Sequence, residues 1–218
     1  MKRILTLTIL AALTIALAGC GQTAQAGGTC TVSEQRSATE PVAGANGVNI
    51  KAQAGTVTVV GRPGLTDVQV TATACATSES ALKRIKLTTE RSTDGWVRVL
   101  AEMPWGSNRL DLTVEVPEDL QVMVRSESGT VSVTDVKRGA SIDSRSGSVT
   151  VTRVEGGVHV VRADSGSLAI TDIKGNVTAN KKSGIVVVTN VQGDLTVTGK
   201  VKGLVSYTNV TGKVNVPN

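Results

Sequence analysis

Five times in its last ninety or so residues the chain repeats one phrase, and no other feature restricts its fold as much. SGTVSVTDV at 128 is followed by SGSVTVTRV at 146, SGSLAITDI at 165 and SGIVVVTNV at 183, with a looser fifth copy after Lys202. The anchors Ser128, Ser146, Ser165, Ser183 and Lys202 are spaced 18, 19, 18 and 19 apart, and each is followed by glycine: Gly129, Gly147, Gly166, Gly184 and Gly203. Three and five places on stand Val131 and Val133, Val149 and Val151, Leu168 and Ile170, Val186 and Val188, Val205 and Tyr207. The eighth place is always β-branched: Val136, Val154, Ile173, Val191 and Val210. Twelve and fourteen places on come Ala140 and Ile142, Val158 and Val160, Val177 and Ala179, Leu195 and Val197, Val214 and Val216. Each period is therefore one unit of two alternating strands, too small to bury its apolar face alone.

Two architectures accommodate such a unit, an antiparallel meander and a β-solenoid in which equal positions stack. Glycine recurs at the first turn and, through Gly139, Gly156, Gly175, Gly193 and Gly212, at the second, which favours stacking. Charge decides between them. One place before the anchors stand Glu127, Arg145, Asp164 and Lys182, and three places before stand Arg125, Asp143 and Arg162. Both columns alternate in sign, and coils about 4.8 Å apart would set opposite charges side by side. A meander gives no reason for that alternation. The fold expected is all-β, a right-handed β-solenoid of short two-strand coils over residues 125–218, its hand following the usual chirality of parallel crossovers.

Ahead of the repeats, residues 42–124 read as a less regular β part. GVNIKA, GTVTVVG, DVQVTATA and LDLTVEVP alternate, the last ending at Pro117. SESALKRI, capped by Ser78, is the one helical candidate, and KLTTE with WVRVLAE reads as a hairpin. Residues 21–41 are small and polar, and are expected to form a flexible tether.

Residues 1–20 are a targeting segment. Lys2 and Arg3, an apolar run from Ile4 to Leu17, and LAGC ending at Cys20 are similar to the bacterial lipoprotein signal with its lipobox, whose cysteine is lipidated. The competing reading is a plain secretory signal. The resemblance implies a chain held on a membrane by lipid at Cys20, facing the periplasm or the cell exterior. Cys30 and Cys75 then remain as an even pair in an oxidising compartment, which favours a disulfide. One histidine and two thiols offer no metal-ligand spacing, and no cofactor motif is present.

With lipobox, β-rich N-terminal part, Val116–Pro117 step and tandem SG-x-V-x-V units in place, the chain resembles the bacterial β-strand-repeat lipoproteins grouped as an adhesin-like family of unknown function. That resemblance implies an exported β-solenoid and brings no catalytic residues with it.

The chemistry readable from residues is sparse. After Lys2 and Arg3 are removed, 21 basic and 18 acidic side chains remain, too even a balance to argue for nucleic acid. The sole histidine, His159, lies between Val158 and Val160 and points outward. Glycan cleavage on a β-helix platform is the alternative activity, but it needs two carboxylates set apart for acid and base roles, and the acids here are matched with bases column by column. The column Asp135, Arg153, Asp172, Asn190, Asn209 has turn chemistry. The threonine column Thr134, Thr152, Thr171, Thr189, Thr208 resembles ice-binding arrays, but its companion Ser132, Thr150, Ala169, Val187, Ser206 breaks the pattern. Lys181, Lys182, Lys200, Lys202 and Lys213 gather in the last coils and, with Trp105 in MPWGSN, form the candidate binding patch for an envelope polymer or protein partner. The expected function is a structural, adhesive or interaction module without catalysis.

Overall fold

A computed structural model describes residues 30–104, 106, 108–201 and 205–217. Two nine-stranded sheets face each other across an aliphatic core. One sheet is ordered β1 (Val32–Pro41), β4 (Asp67–Ala76), β7 (Arg109–Pro117), β3 (Val57–Arg62), β9 (Val131–Val136), β11 (Val149–Val154), β13 (Leu168–Ile173), β15 (Val186–Val191), β17 (Val205–Val210). The other runs β18 (Val214–Asn215), β16 (Leu195–Thr198), β14 (Val177–Lys181), β12 (Val158–Ala163), β10 (Ala140–Ser144), β8 (Gln121–Ser128), β2 (Gly47–Ala54), β6 (Trp96–Glu102), β5 (Lys86–Arg91).

Successive repeats pair in parallel at the offsets the periodicity gives, with Val131 opposite Val149, Leu168 opposite Val149, and Val186 opposite both Leu168 and Val205. This is the stacked solution, and its inward columns are buried through Val197. The inward places of the first strand are three, five and eight, an odd-to-even change that plain alternation forbids. Asp135, Arg153, Asp172, Asn190 and Asn209 supply it, each with φ between 53° and 61°. A left-handed residue shifts the strand's phase by one, so the β-branched side chain after it faces inward again. Asp and Asn tolerate that conformation better than most residues, which explains four of the five.

The first-turn glycines have a second cause besides the turn. A Cβ built on Gly147 would overlap the carbonyl oxygen of Gly129, and Gly129 stands in the same relation to Gly55. Backbones of adjacent coils touch here, and side chains are excluded along the column from Gly129 to Gly184.

The N-terminal part departs from expectation in two respects. Its irregularity is one of chain order and not of packing, because β2–β3 and β6–β7 are two further coils in register with the repeats: β2 pairs β8 and β3 pairs β9, both in parallel. The boundary at residue 125 falls inside β8, whose Val122 and Val124 already occupy the Ala140 and Ile142 columns. What breaks the periodicity is chain order. The β6–β7 coil lies on the outer side of β2–β3, so the chain passes over β2–β3 before β8 begins.

The second departure is the tether. Residues 32–41 form β1, paired antiparallel with β4 over ten positions. Its polar composition suits an edge strand with only Val32, Arg36, Ala38 and Glu40 half-buried, ordered by its hydrogen-bond ladder rather than by apolar burial. Residues 21–29 lie outside the described residues. With β4, β5 and the single-turn helix α1 (Glu79–Leu82), β1 closes this end of the stack. Ser78 Oγ accepts from the Ala81 amide at 3.3 Å, and Arg36 donates to the carbonyls of Leu82 and Ile85, satisfying the groups that so short a helix leaves open.

Candidate functional site

Stacking turns each charged column into a ladder of ion pairs. Arg125 Nε and Arg162 Nε donate to the two carboxylate oxygens of Asp143 at 3.1 and 2.7 Å. Arg145 meets Glu127 at 2.5 Å, and Lys182 meets Asp164 at 3.0 Å. These residues line a groove of about 450 Å³ along one edge of the solenoid. At the opposite edge a second groove, about 290 Å³, holds a ladder that the sequence reading did not single out. There Lys137 pairs with Glu118 at 2.5 Å and Lys174 with Glu155 at 3.1 Å. Lys137, Glu155 and Lys174 stand nine places after their anchors, so the same sign alternation announces them.

Neither groove presents a carboxylate pair free of cations. Arg153, the one long side chain in the left-handed turn column, grips Asp135 through two nitrogens at 2.6 and 2.9 Å and also reaches Thr134 at 2.9 Å. These hydrogen bonds, led by Arg153, hold the Asp135 carboxyl below its ordinary range and raise Arg153 above its own. Asp172 Oδ1 accepts from Asn190 Nδ2 at 2.7 Å, and Asn190 Oδ1 in turn accepts from Asn209 Nδ2 at 3.0 Å. His159 is exposed on β12 beside Ser141 of the neighbouring strand, but no carboxylate lines the groove around them. A nucleophile, base and orienting acid are not assembled there. Among the described residues, no group of three or more His, Cys, Asp or Glu side chains is placed to hold a metal ion.

The candidate binding patch divides. Lys200 and Lys213 are exposed on the last coil. Lys182 is exposed but committed to Asp164. Lys181 does not belong to the patch: it is fully buried, because β14 alternates inward at Val177, Ala179 and Lys181, and its column continues Ser126, Ser144 and Ala163. Its Nζ has no hydrogen-bond partner among the described residues, and burial lowers its pKa against the opposing pull of Asp164. Trp105, Lys202 and Cys20 lie outside the described residues. Cys30 and Cys75 are joined as a disulfide that ties the start of β1 to the end of β4.

What sequence reasoning missed is the state of the final coil. The inward positions Val188 and Leu195 are covered, whereas their successors Tyr207 and Val214 are 46% and 37% exposed. With Ile185 and Val187 they make four of the five exposed large apolar side chains among the described residues. The signal was available: Tyr207 is the one aromatic residue in an otherwise aliphatic column.

Among known proteins, a family model described as Toastrack DUF4097 matches residues 48–216. No curated protein matches the sequence. A solved structure from Clostridium sporogenes ATCC 15579, provisionally named a cell adhesion protein, is similar over 84% of this chain and 99% of its own, at 8% identity and a TM-score of 0.33. One from Bacteroides fragilis NCTC 9343, provisionally named an adhesin, covers 84% and 96% at 13% identity and a TM-score of 0.33. A third, from Parabacteroides distasonis ATCC 8503, provisionally named a lipid binding protein, covers 86% and 98% at 11% identity and a TM-score of 0.29.

Proposed function

We propose, from the premise that the chain belongs to the Toastrack DUF4097 family, that it is a lipid-anchored cell-envelope protein whose solenoid is a non-catalytic spacer carrying an adhesive or interaction surface at its far end. The observation that carries this reading is the engagement of the groove carboxylates. Asp143, Glu127, Asp164, Glu118, Glu155 and Asp135 each contact a cation one coil away. Catalytic carboxylates for glycan cleavage need separate environments that push their pKa values apart, and inter-coil pairing gives these six a common structural task instead.

The position of the ends supports the rest. β1, the first described strand after the lipobox, is the edge strand at one end of the stack, and β17 is the edge strand at the other. Nine strands at the usual spacing separate those edges by roughly 40 Å. A lipid at Cys20 would leave the last coil, with Lys200 and Lys213, facing away from the anchored end.

Expression in a bacterium with lipoprotein processing tests the reading. The mature N-terminus should carry the mass of a diacylglycerol-modified Cys20, and Cys20→Ala should leave the membrane fraction. The purified protein should release no reducing ends from envelope glycans. Membrane retention of Cys20→Ala would defeat the anchor, and glycan turnover lost on substituting a groove carboxylate would replace the spacer by an enzyme.

A further inference from the structure

The two edges of the described stack differ in character. At the first end both edge strands carry the features that discourage pairing: β1 has Glu34, Arg36 and Glu40 and closes on Pro41, and β5 has Lys86, Glu90 and Arg91. At the last end β17 reads VSYTNV, with no charge and no proline. It pairs only with β15 among the described residues, so one row of its main-chain donors and acceptors faces outward. Below it the apolar columns run on uncovered through Tyr207 and Val214. An unblunted edge above an open apolar floor is the arrangement to which another strand adds, main-chain hydrogen bonds supplying affinity and alternate side chains entering the floor.

Charge identifies the occupant. On the last coil Lys200 and Lys213 are exposed and form no ion pair among the described residues, and Asp194, one coil away, is taken up by the Lys213 amide, which donates to its Oδ1 at 2.8 Å. A second copy of the chain docked on this end would set those lysines against their own counterparts. A strand flanked by aspartate or glutamate would neutralise them.

We infer that the C-terminal edge of the solenoid is a strand-addition site for an extended segment of a protein partner, with alternating apolar residues flanked by acidic ones. β17 supplies the edge, Tyr207 and Val214 the apolar contacts, and Lys200 and Lys213 the flanking charge. The inference rests on the reading of the last coil as the far end of an anchored spacer, and it names what that end holds.

The test uses the full-length lipoprotein in detergent micelles and three probes: a short valine-threonine peptide with aspartate at both ends, the same core with lysine at both ends, and polyglutamate. The aspartate peptide should bind, weaken with salt, and slow amide exchange within Val205–Val210. Binding should fall by about tenfold or more with Tyr207→Lys, the loss expected on removing a central aromatic contact. Lys200→Glu with Lys213→Glu should transfer preference to the lysine peptide.

Equal binding of both peptides would overturn the proposal, as would equal protection of β17 by polyglutamate, which would reduce the site to a charged patch. Protein dimerisation abolished by Tyr207→Lys would reassign the edge to a second copy. Should Tyr207→Lys fail to fold, amide exchange in the unsubstituted protein decides. None of these readouts depends on where Cys20→Ala fractionates, so the anchor and the docking site can fail separately.

Discussion

Lys181→Met should make the protein more stable, an unusual expectation for a fully buried position. The side chain lies at 0% exposure in a column otherwise made of Ser126, Ser144 and Ala163, and its amine lacks a hydrogen-bond partner among the described residues. Asp164 attracts it but is already engaged by Lys182 at 3.0 Å. An unsatisfied buried donor costs about 1–3 kcal/mol. Methionine keeps the unbranched stem and loses the donor, so the gain should be of that size. Lys181→Ala would instead open a cavity that costs about 2–5 kcal/mol, and should be the less stable of the two variants. The pH dependence has a definite sign. Because burial lowers the folded-state pKa below the ordinary 10.5, the unfolded chain binds more protons between the two values, and stability rises with pH across that window. The part of the penalty owed to the charge is complete below the lowered pKa and gone above 10.5, while the neutral amine keeps its unpartnered N–H groups. Urea unfolding of native protein and Met variant, at neutral pH and near the alkaline limit, should therefore show a gap that narrows upward. A Met variant that is less stable, or a gap indifferent to pH, would refute the reasoning and show that the amine makes a contact the fold needs.

Three further outcomes follow from the coil geometry. Gly147→Ala, at φ 110° with its new methyl against the Gly129 carbonyl, should cost about 2–4 kcal/mol by thermal unfolding, far beyond a surface substitution. Cys75→Ser should cost about 2–4 kcal/mol, since the Cys30 bridge spans a separation of 45 residues, and the loss should vanish when both proteins are compared under reducing conditions. Asp135 is held below its ordinary 3.8, chiefly by Arg153, so its contribution is present above that value and lost as pH falls through the lowered one. Arg153→Gln should flatten that part of the acid-unfolding profile, and NMR titration of Asp135 should show its pKa return toward 3.8.

The repeat columns were legible because parallel stacking brings equal positions together. Val131, Val149, Leu168 and Val186 are neighbours in space for the same reason that they are neighbours in an alignment of the repeats. The β2–β3 coil was not legible, although AGTVTVVG at 54 carries the SGTVSVTD phrase, because β4, α1 and β5 interrupt the count and β6–β7 goes on outside it. β1 escaped notice because its order comes from a main-chain ladder and from the Arg36 contacts, neither of which needs an apolar pattern. Lys181 was misplaced by its neighbour: read with Lys182 it is a surface charge pair, whereas read with Val177 and Ala179 its parity points inward. The open last coil showed in the columns only through the aromatic Tyr207, since Tyr207 and Val214 otherwise stand at core positions like those of the earlier coils.

If the alternating charges on the repeats serve the stack and not a reaction, Glu127 and Arg145 should couple in a double-mutant cycle. The pair meets at 2.5 Å with the two side chains 40% and 56% exposed, so screening limits its worth. Arg145→Glu should destabilise the protein by about 0.2–1 kcal/mol per lost neighbour, and Glu127→Arg in the same chain should restore the share owed to Glu127 while Asp164 stays unmatched on that side, with a coupling that shrinks as salt is added. Coupling indistinguishable from zero at low salt would mean that the columns do not hold adjacent coils together, and would contradict the account.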